Sequence, residues 1–285
     1  MKYGTIFRKS AFIVAASVLT LAACKRDNNN NSAPALSSAD DNGGYASDAA
    51  KAEQTNNDVI SIADAAAATN SGSNLRTTGT TIGGCAMVTN DTSVTPHVLT
   101  INFGTTNCTC LDYKNRRGEI IVTYSGHYKD SGSTHTISYS NYFVNDNQLM
   151  GSKIVTNMGT NSSGQVYYNV TVNDSLNIGG DSVITWVGNR VRTWQAGYST
   201  ADRSDDQYLI TGTTTLRRAN GHVFTFDITS PLQVANNCVF IEAGTIDISS
   251  TTFASSPHIL DYGTGNCDAE AQLTIGSHTY NISLW

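Results

Sequence analysis

Six histidines, three clustered aspartates, one strand with two tryptophans and two arginines, and six cysteines are the groups in this 285-residue chain that could do chemistry. His97, His127, His135, His222, His258 and His278 are scattered. None falls in the His-Glu-x-x-His spacing that sets two imidazoles and a base on one helix face. There is no Gly-x-Ser-x-Gly nucleophile turn, no phosphate-binding loop and no dinucleotide fingerprint. Asp202, Asp205 and Asp206 share a loop between strands and could offer oxygen ligands to Ca²⁺. They lack the Gly and closing Glu of an EF-hand, so a solvated loop is the plainer reading. A glycosidase needs two carboxyls about 5–10 Å apart, and no such pair stands out. No catalytic residue, cofactor or metal is therefore assigned.

The strand Val183 to Trp194 is the most informative. Its odd positions are Val183, Thr185, Val187, Asn189, Val191 and Thr193, an aliphatic face expected to be core. Its even positions carry Trp186, Arg190, Arg192 and Trp194, with Gly188 giving close access. Tryptophan faces stack on sugar rings and arginine adds directional donors, which makes this a ligand platform. The alternative, ranked ahead of it, is an Arg–Trp ladder within the sheet.

An internal repeat organises the cysteines. Residues 96–108 read PHVLTINFGTTNC and residues 257–267 read PHILDYGTGNC, each after an earlier Cys. The natural pairing is Cys85 with Cys108 and Cys238 with Cys267, leaving Cys110. Cys85 with Cys110 stays open, because Cys108 and Cys110 lie two apart. Cys108-Thr-Cys110 is not a Cys-x₂-Cys zinc spacing, so disulfides rank ahead of metal. His97 and His258 occupy equivalent places in the repeat, which argues for a structural role at a strand start.

These groups must be held by strands. From about residue 80 the pattern has period two, with runs rich in Val, Ile, Thr, Tyr and Phe separated by turn chemistry such as Asn220-Gly221. Short connections force antiparallel neighbours. The expectation is an all-β domain over 80–285, an antiparallel meander of roughly ten strands, as a sandwich, an open barrel or one twisted sheet. The related arms lie near 85–110 and 238–267. Residues about 52 to 68 are the helix candidate, with Val59, Ile62, Ala63 and Ala66 on one face. A short helix packed on the domain edge, within a 51–79 helix-and-linker segment, is preferred to one that docks on a partner.

The N-terminus carries Lys2, Arg8 and Lys9 ahead of a 13-residue apolar run, Ala11 to Ala23. That is the length of a signal-peptide core and too short to span a bilayer. It ends in Leu21-Ala22-Ala23-Cys24, which resembles a bacterial lipoprotein signal. The resemblance implies cleavage after residue 23 and lipidation of Cys24, whose thiolate takes the lipid as a thioether. Several acyl chains give stable anchoring, at about 0.8 kcal/mol per buried CH₂. Residues 24–50, with Lys25, Arg26, Asp27 and four Asn, read as a disordered tether. Loss of residues 1–23 removes three basic and no acidic residues, moving the formal charge from −6 to −9. An acidic surface disfavours anionic headgroups, so the lipid is the anchor.

Only 14% of residues are charged, and no basic excess supports nucleic-acid binding. The lipobox combines with Phe103-Gly104-Thr105, Arg116 to Val122, Ile184-Thr185-Trp186, Arg192-Thr193-Trp194 and Asp261 to Asp268. Together they resemble a family of uncharacterised Bacteroidota exported lipoproteins. The resemblance implies an all-β exported protein and brings no activity with it. The outer membrane is the expected address, with surface exposure left open. The expected role is a non-catalytic, lipid-anchored envelope module that binds a glycan or protein partner. The alternative is an envelope hydrolase acting on glycan or peptide.

Overall fold

The computed structural model describes residues 44–67, 84–179, 182–253 and 257–284. Cys24, the signal-peptide segment and the tether up to residue 43 lie outside the described residues, as does the linker 68–79.

One helix, α1 (Gly44–Ala67), precedes fourteen strands. They are β1 (Met87–Asp91), β2 (His97–Asn102), β3 (Cys108–Thr109), β4 (Asn115–Tyr124), β5 (Thr134–Val144), β6 (Asn147–Thr160), β7 (Val166–Asn177) and β8 (Val183–Ala196). The second half holds β9 (Gln207–Arg217), β10 (Val223–Ala235), β11 (Ile241–Ser249), β12 (His258–Thr264), β13 (Glu270–Ile275) and β14 (His278–Ser283). They form a single antiparallel meander, each strand beside the next, with β3 a short addition on β4. β1 and β14 are its edges, so the sheet is not closed. The expected all-β meander with an N-terminal helix is what forms. The strand number exceeds ten because the two cysteine arms add β1, β2, β3 and β12, and because the chain after them folds back as the hairpin β13–β14.

Each strand buries alternate side chains. In β7 the inward set is Val166, Tyr168, Val170, Val172, Asp174 and Leu176, with Asn169, Thr171 and Asn173 exposed between them. Bulges let the sheet curl. The register slips between Arg117 and Glu119, where Gly118 has φ +83° and an added Cβ would lie 1.9 Å from the Asn141 carbonyl oxygen.

The helix departs furthest from expectation. It begins at Gly44, so residues 44–50, read as tether, are helical, and it does not sit on the edge of the domain. Buried positions such as Tyr45, Ala46, Glu53, Gln54, Ile60, Ile62 and Ala65 point in all directions around its axis. α1 touches β2, β10 and β14, strands near both edges and in the second half of the sheet. One helix can meet all three only if the sheet curves around it. The many alanines favour the helical state and keep the helix slim enough for the sheet to wrap.

All four acidic residues of α1 meet cations. Asp48 forms an ion pair with Arg218 at 2.8 Å, Glu53 pairs with Arg190 of β8, and Asp64 pairs with Arg203 in the turn Arg203–Asp205. Asp58 meets Arg116 of β4 at 2.7 Å and Lys114 at 3.7 Å. A uniformly apolar helix could slide or rotate within a smooth wall, whereas acids at 48, 53, 58 and 64 select one depth and rotation. At the N-terminal end the Tyr45 hydroxyl meets His258 Nδ1, and the Phe253 ring stacks on that imidazole at 3.8 Å.

Candidate functional site

Beyond the C-terminal end of α1 lies a pocket of about 440 Å³. Asp64 and Ala67 form its floor, Asn90, Thr92, His97 and Leu99 one side, and Tyr124, His127, Tyr128 and His135 another, with Lys129 and Arg203 bringing positive charge. His97, Tyr124 and His135 are direct cross-strand partners on β2, β4 and β5. Their rings form a stripe, with centroids 5.2 and 5.5 Å apart. The β4–β5 connection then folds inward. Asp130 accepts from the His127 amide at 2.9 Å, and the Asn157 side chain donates to the Tyr128 carbonyl at 3.0 Å. This drives Tyr128 against His135 and onto Tyr168, whose ring it stacks at 4.5 Å. Tyr168 leads on to Trp194, Tyr198 and Tyr208.

Two buried polar atoms in this aromatic wall have no hydrogen-bond partner. His135 is 6% exposed and its Nε2 has no hydrogen-bond partner; the Tyr128 hydroxyl is likewise buried and unpartnered. Burial holds the His135 imidazole below its ordinary range, against the pull of Asp64 and nearby backbone carbonyls. Burial also pushes the Tyr128 phenol well up. Both are therefore neutral near pH 7, a donor and an acceptor rather than charges. The Tyr124 hydroxyl donates to Asn90 at 2.7 Å, and Lys129 Nζ donates to the Tyr198 carbonyl at 2.8 Å. Asp64, the carboxylate lining the pocket, is committed to Arg203. The arrangement can stack a planar or pyranose face and hydrogen-bond its rim.

The residues singled out from sequence are placed differently. The Trp–Arg face of β8 points inward: Trp186, Arg190, Arg192 and Trp194 are all buried, while Val187 is half exposed. The expected aliphatic core face is the outer one. The platform reading is corrected for this reason, since α1 and the neighbouring strands cover that face. Arg190 donates to Glu53 and to Thr214 Oγ1 at 2.8 Å, and the Arg192 guanidinium lies 3.6 Å over the Tyr208 ring. Gly188 admits the β9 backbone rather than a ligand, since a Cβ there would sit 2.4 Å from the Thr213 carbonyl.

The calcium reading of the Asp loop is corrected as well. Asp202 accepts from the Ser204 amide and hydroxyl, Asp205 from Thr200 Oγ1, and Asp206 turns inward to Asn236 at 3.2 Å. The three carboxylates diverge, and no cluster of metal-ligating groups occurs among the described residues. Cys85 pairs with Cys108 and Cys238 with Cys267, with Cα separations of 5.6 and 5.7 Å, and Cys110 is a free, buried thiol. That closes the alternative of Cys85 with Cys110. His97 and His258 both open strands, as the repeat implies, but His97 faces the pocket and His258 holds Tyr45.

No family model, curated protein or solved structure matches this chain.

Proposed function

We propose that the protein is a non-catalytic, lipid-anchored module of the cell envelope, held through Cys24, that binds a glycan in the pocket beyond α1. The observation that carries this reading is the His97–Tyr124–His135–Tyr128 wall, in which stacking faces surround the unpartnered His135 Nε2 and Tyr128 hydroxyl. Sugar recognition calls for this combination of flat apolar faces and a few fixed polar atoms. A volume of about 440 Å³ suits one or two rings. The hydrolase reading has less support, because the lining carboxylate Asp64 is ion-paired and no second carboxylate lines the pocket among the described residues.

The test is an oligosaccharide array probed with the mature protein, followed by titration of any retained glycan. Tyr124→Ala is expected to weaken binding about tenfold through loss of stacking, while Trp186→Phe, buried away from the pocket, leaves it unchanged. Retention of no glycan, or full affinity in Tyr124→Ala, would count against the reading. Turnover of the bound sugar would favour the hydrolase.

A further inference from the structure

Five basic side chains are buried among the described residues: Lys114, Arg116, Lys153, Arg190 and Arg192. Four face a carboxylate. Lys114 and Arg116 share Asp58 and Asp112, Lys153 pairs with Asp174, and Arg190 pairs with Glu53. Arg192 is the exception. It is 3% exposed, its Nε and Nη1 have no hydrogen-bond partner, and what surrounds it is tyrosine rather than carboxylate: its guanidinium lies over the Tyr208 ring, Tyr168 is its cross-strand partner, and Tyr128 is within electrostatic range. A buried guanidinium without an anion costs several kcal/mol, and the rest of this interior avoids that cost pair by pair.

In front of Arg192 is a cavity of about 50 Å³ between α1 and the β10–β11 connection. Its wall includes Gln54, Asn57, Asp58, Ser61 and Phe240. Most of these polar groups are already engaged. Gln54 donates to the Val239 carbonyl at 2.5 Å, Ser61 donates to Asn236 at 3.1 Å, and Asp58 faces Arg116 and Lys114. The Asn57 amide is different, since both its side-chain atoms are buried without a partner. Arg192 and Asn57 are thus the lining residues whose side-chain nitrogens are left buried without a partner. The space exceeds that of one water, which needs about 10–15 Å³ measured in the same way. It opens past Asn236 to Phe240, which are half-buried or exposed. This cavity is separate from the aromatic pocket, and the inference does not rest on the glycan reading.

We propose that Arg192 and Asn57 form a binding site for one small monovalent anion, of the size of chloride or formate. The anion supplies the negative partner that the chain does not, and it lies against α1, so its binding steadies the helix within the sheet. A ligand's carboxylate end is the same chemistry from another source, and formate stands in for it.

The experiment is thermal unfolding of the mature protein as sodium gluconate is replaced by sodium chloride or sodium formate at constant ionic strength. A ligand that binds only the folded state raises the midpoint in proportion to the logarithm of one plus its concentration over Kd. The expected result is a rise with that dependence for at least one of the two anions. Formate alone points to a carboxylate source, and both together point to a free ion. Arg192→Gln removes the charge and should abolish the rise, while Asn57→Ala should shift the half-point at least about tenfold to higher anion concentration. Should Arg192→Gln fail to fold, ³⁵Cl line broadening by the wild-type protein, competed by formate and reduced in Asn57→Ala, gives the same answer. No rise with either anion overturns the site and leaves water as the occupant. An equal rise in both variants overturns it too, placing the effect on the surface.

Discussion

Asp206 is a buried carboxylic acid, and burial, helped by the Asp64 charge and opposed by Arg203, lifts its pKa to about 6. Its folded value therefore exceeds the unfolded one of about 3.9. The protonated form favours the fold, so this contribution is complete below about pH 4 and is lost as pH rises through about 6. Asp206→Asn should flatten the stability profile between pH 4 and 6 and raise stability at pH 7 by on the order of 2–3 kcal/mol, read from urea midpoints across that range. An unchanged slope would show that Asp206 does not titrate there. His135 acts in the opposite sense. Its depressed value gives stability that is complete above about 6.5 and is lost as pH falls. Arg116 supplies a second residue-level expectation. Burial alone would raise Asp58, but the Arg116 and Lys114 charges outweigh it and hold the carboxyl below its usual range. Arg116→Met leaves Asp58 and Asp112 with Lys114 alone and should cost about 3–5 kcal/mol. Arg117→Met breaks surface contacts alone, the pair with the exposed Asp146, a hydrogen bond to Asn107 and a stack on Phe143, and should cost about 1 kcal/mol. Equal losses in the two variants would contradict the buried network.

At the scale of elements, most of the sheet and the presence of the helix could be read from the chain, but the helix's start at Gly44 and its place inside the sheet could not. The predicted strand Val183 to Trp194 is β8 with two more residues at its end, because alternation and turn residues are local signals. What alternation leaves open is which face is inward. In β8 alternation points to the aliphatic face as core, yet Arg190 and Arg192 point inward because α1 brings Glu53 to one of them. A charged residue is an inward residue when its counter-charge lies on a distant element, and strand periodicity carries no trace of that. The acids of α1 are the matching half of the pattern. At five- and six-residue intervals they trace no single helix face, so they resemble a solvated helix until the sheet is wrapped around it. The disulfides were legible because the repeat places each cysteine at the same step. Each closes a loop of 23 or 29 residues. Replacing Cys85 and Cys108 together by Ser should lower stability by about 3–4 kcal/mol, measured against the reduced and oxidised wild type. A loss well under 1 kcal/mol would mean that the arm is held by β1–β2 pairing alone.

Among the described residues the molecule is a sheet that encloses its own helix and leaves a pocket at the helix end, and the proposed lipid signal precedes it in the sequence. The pocket was not legible because its histidines are 30 and 8 residues apart in the chain. Only the register that sets His97 beside Tyr124 and Tyr124 beside His135 joins them, and it becomes readable once β2, β4 and β5 are known to be neighbours. At this scale, Cys24→Ser should move the protein from the detergent phase to the aqueous phase in a phase-separation assay, and wild-type protein in the aqueous phase would count against the anchor. The account turns most heavily on α1 lying inside the sheet, since its end is the floor of the pocket and its acids set the network. Hydrogen exchange of the intact mature protein measures this directly. The amides of residues 48–66 should be protected as strongly as those of β6 to β8, whose central strands open only with global unfolding. Exchange of the helix within seconds, while those strands stay protected, would contradict it.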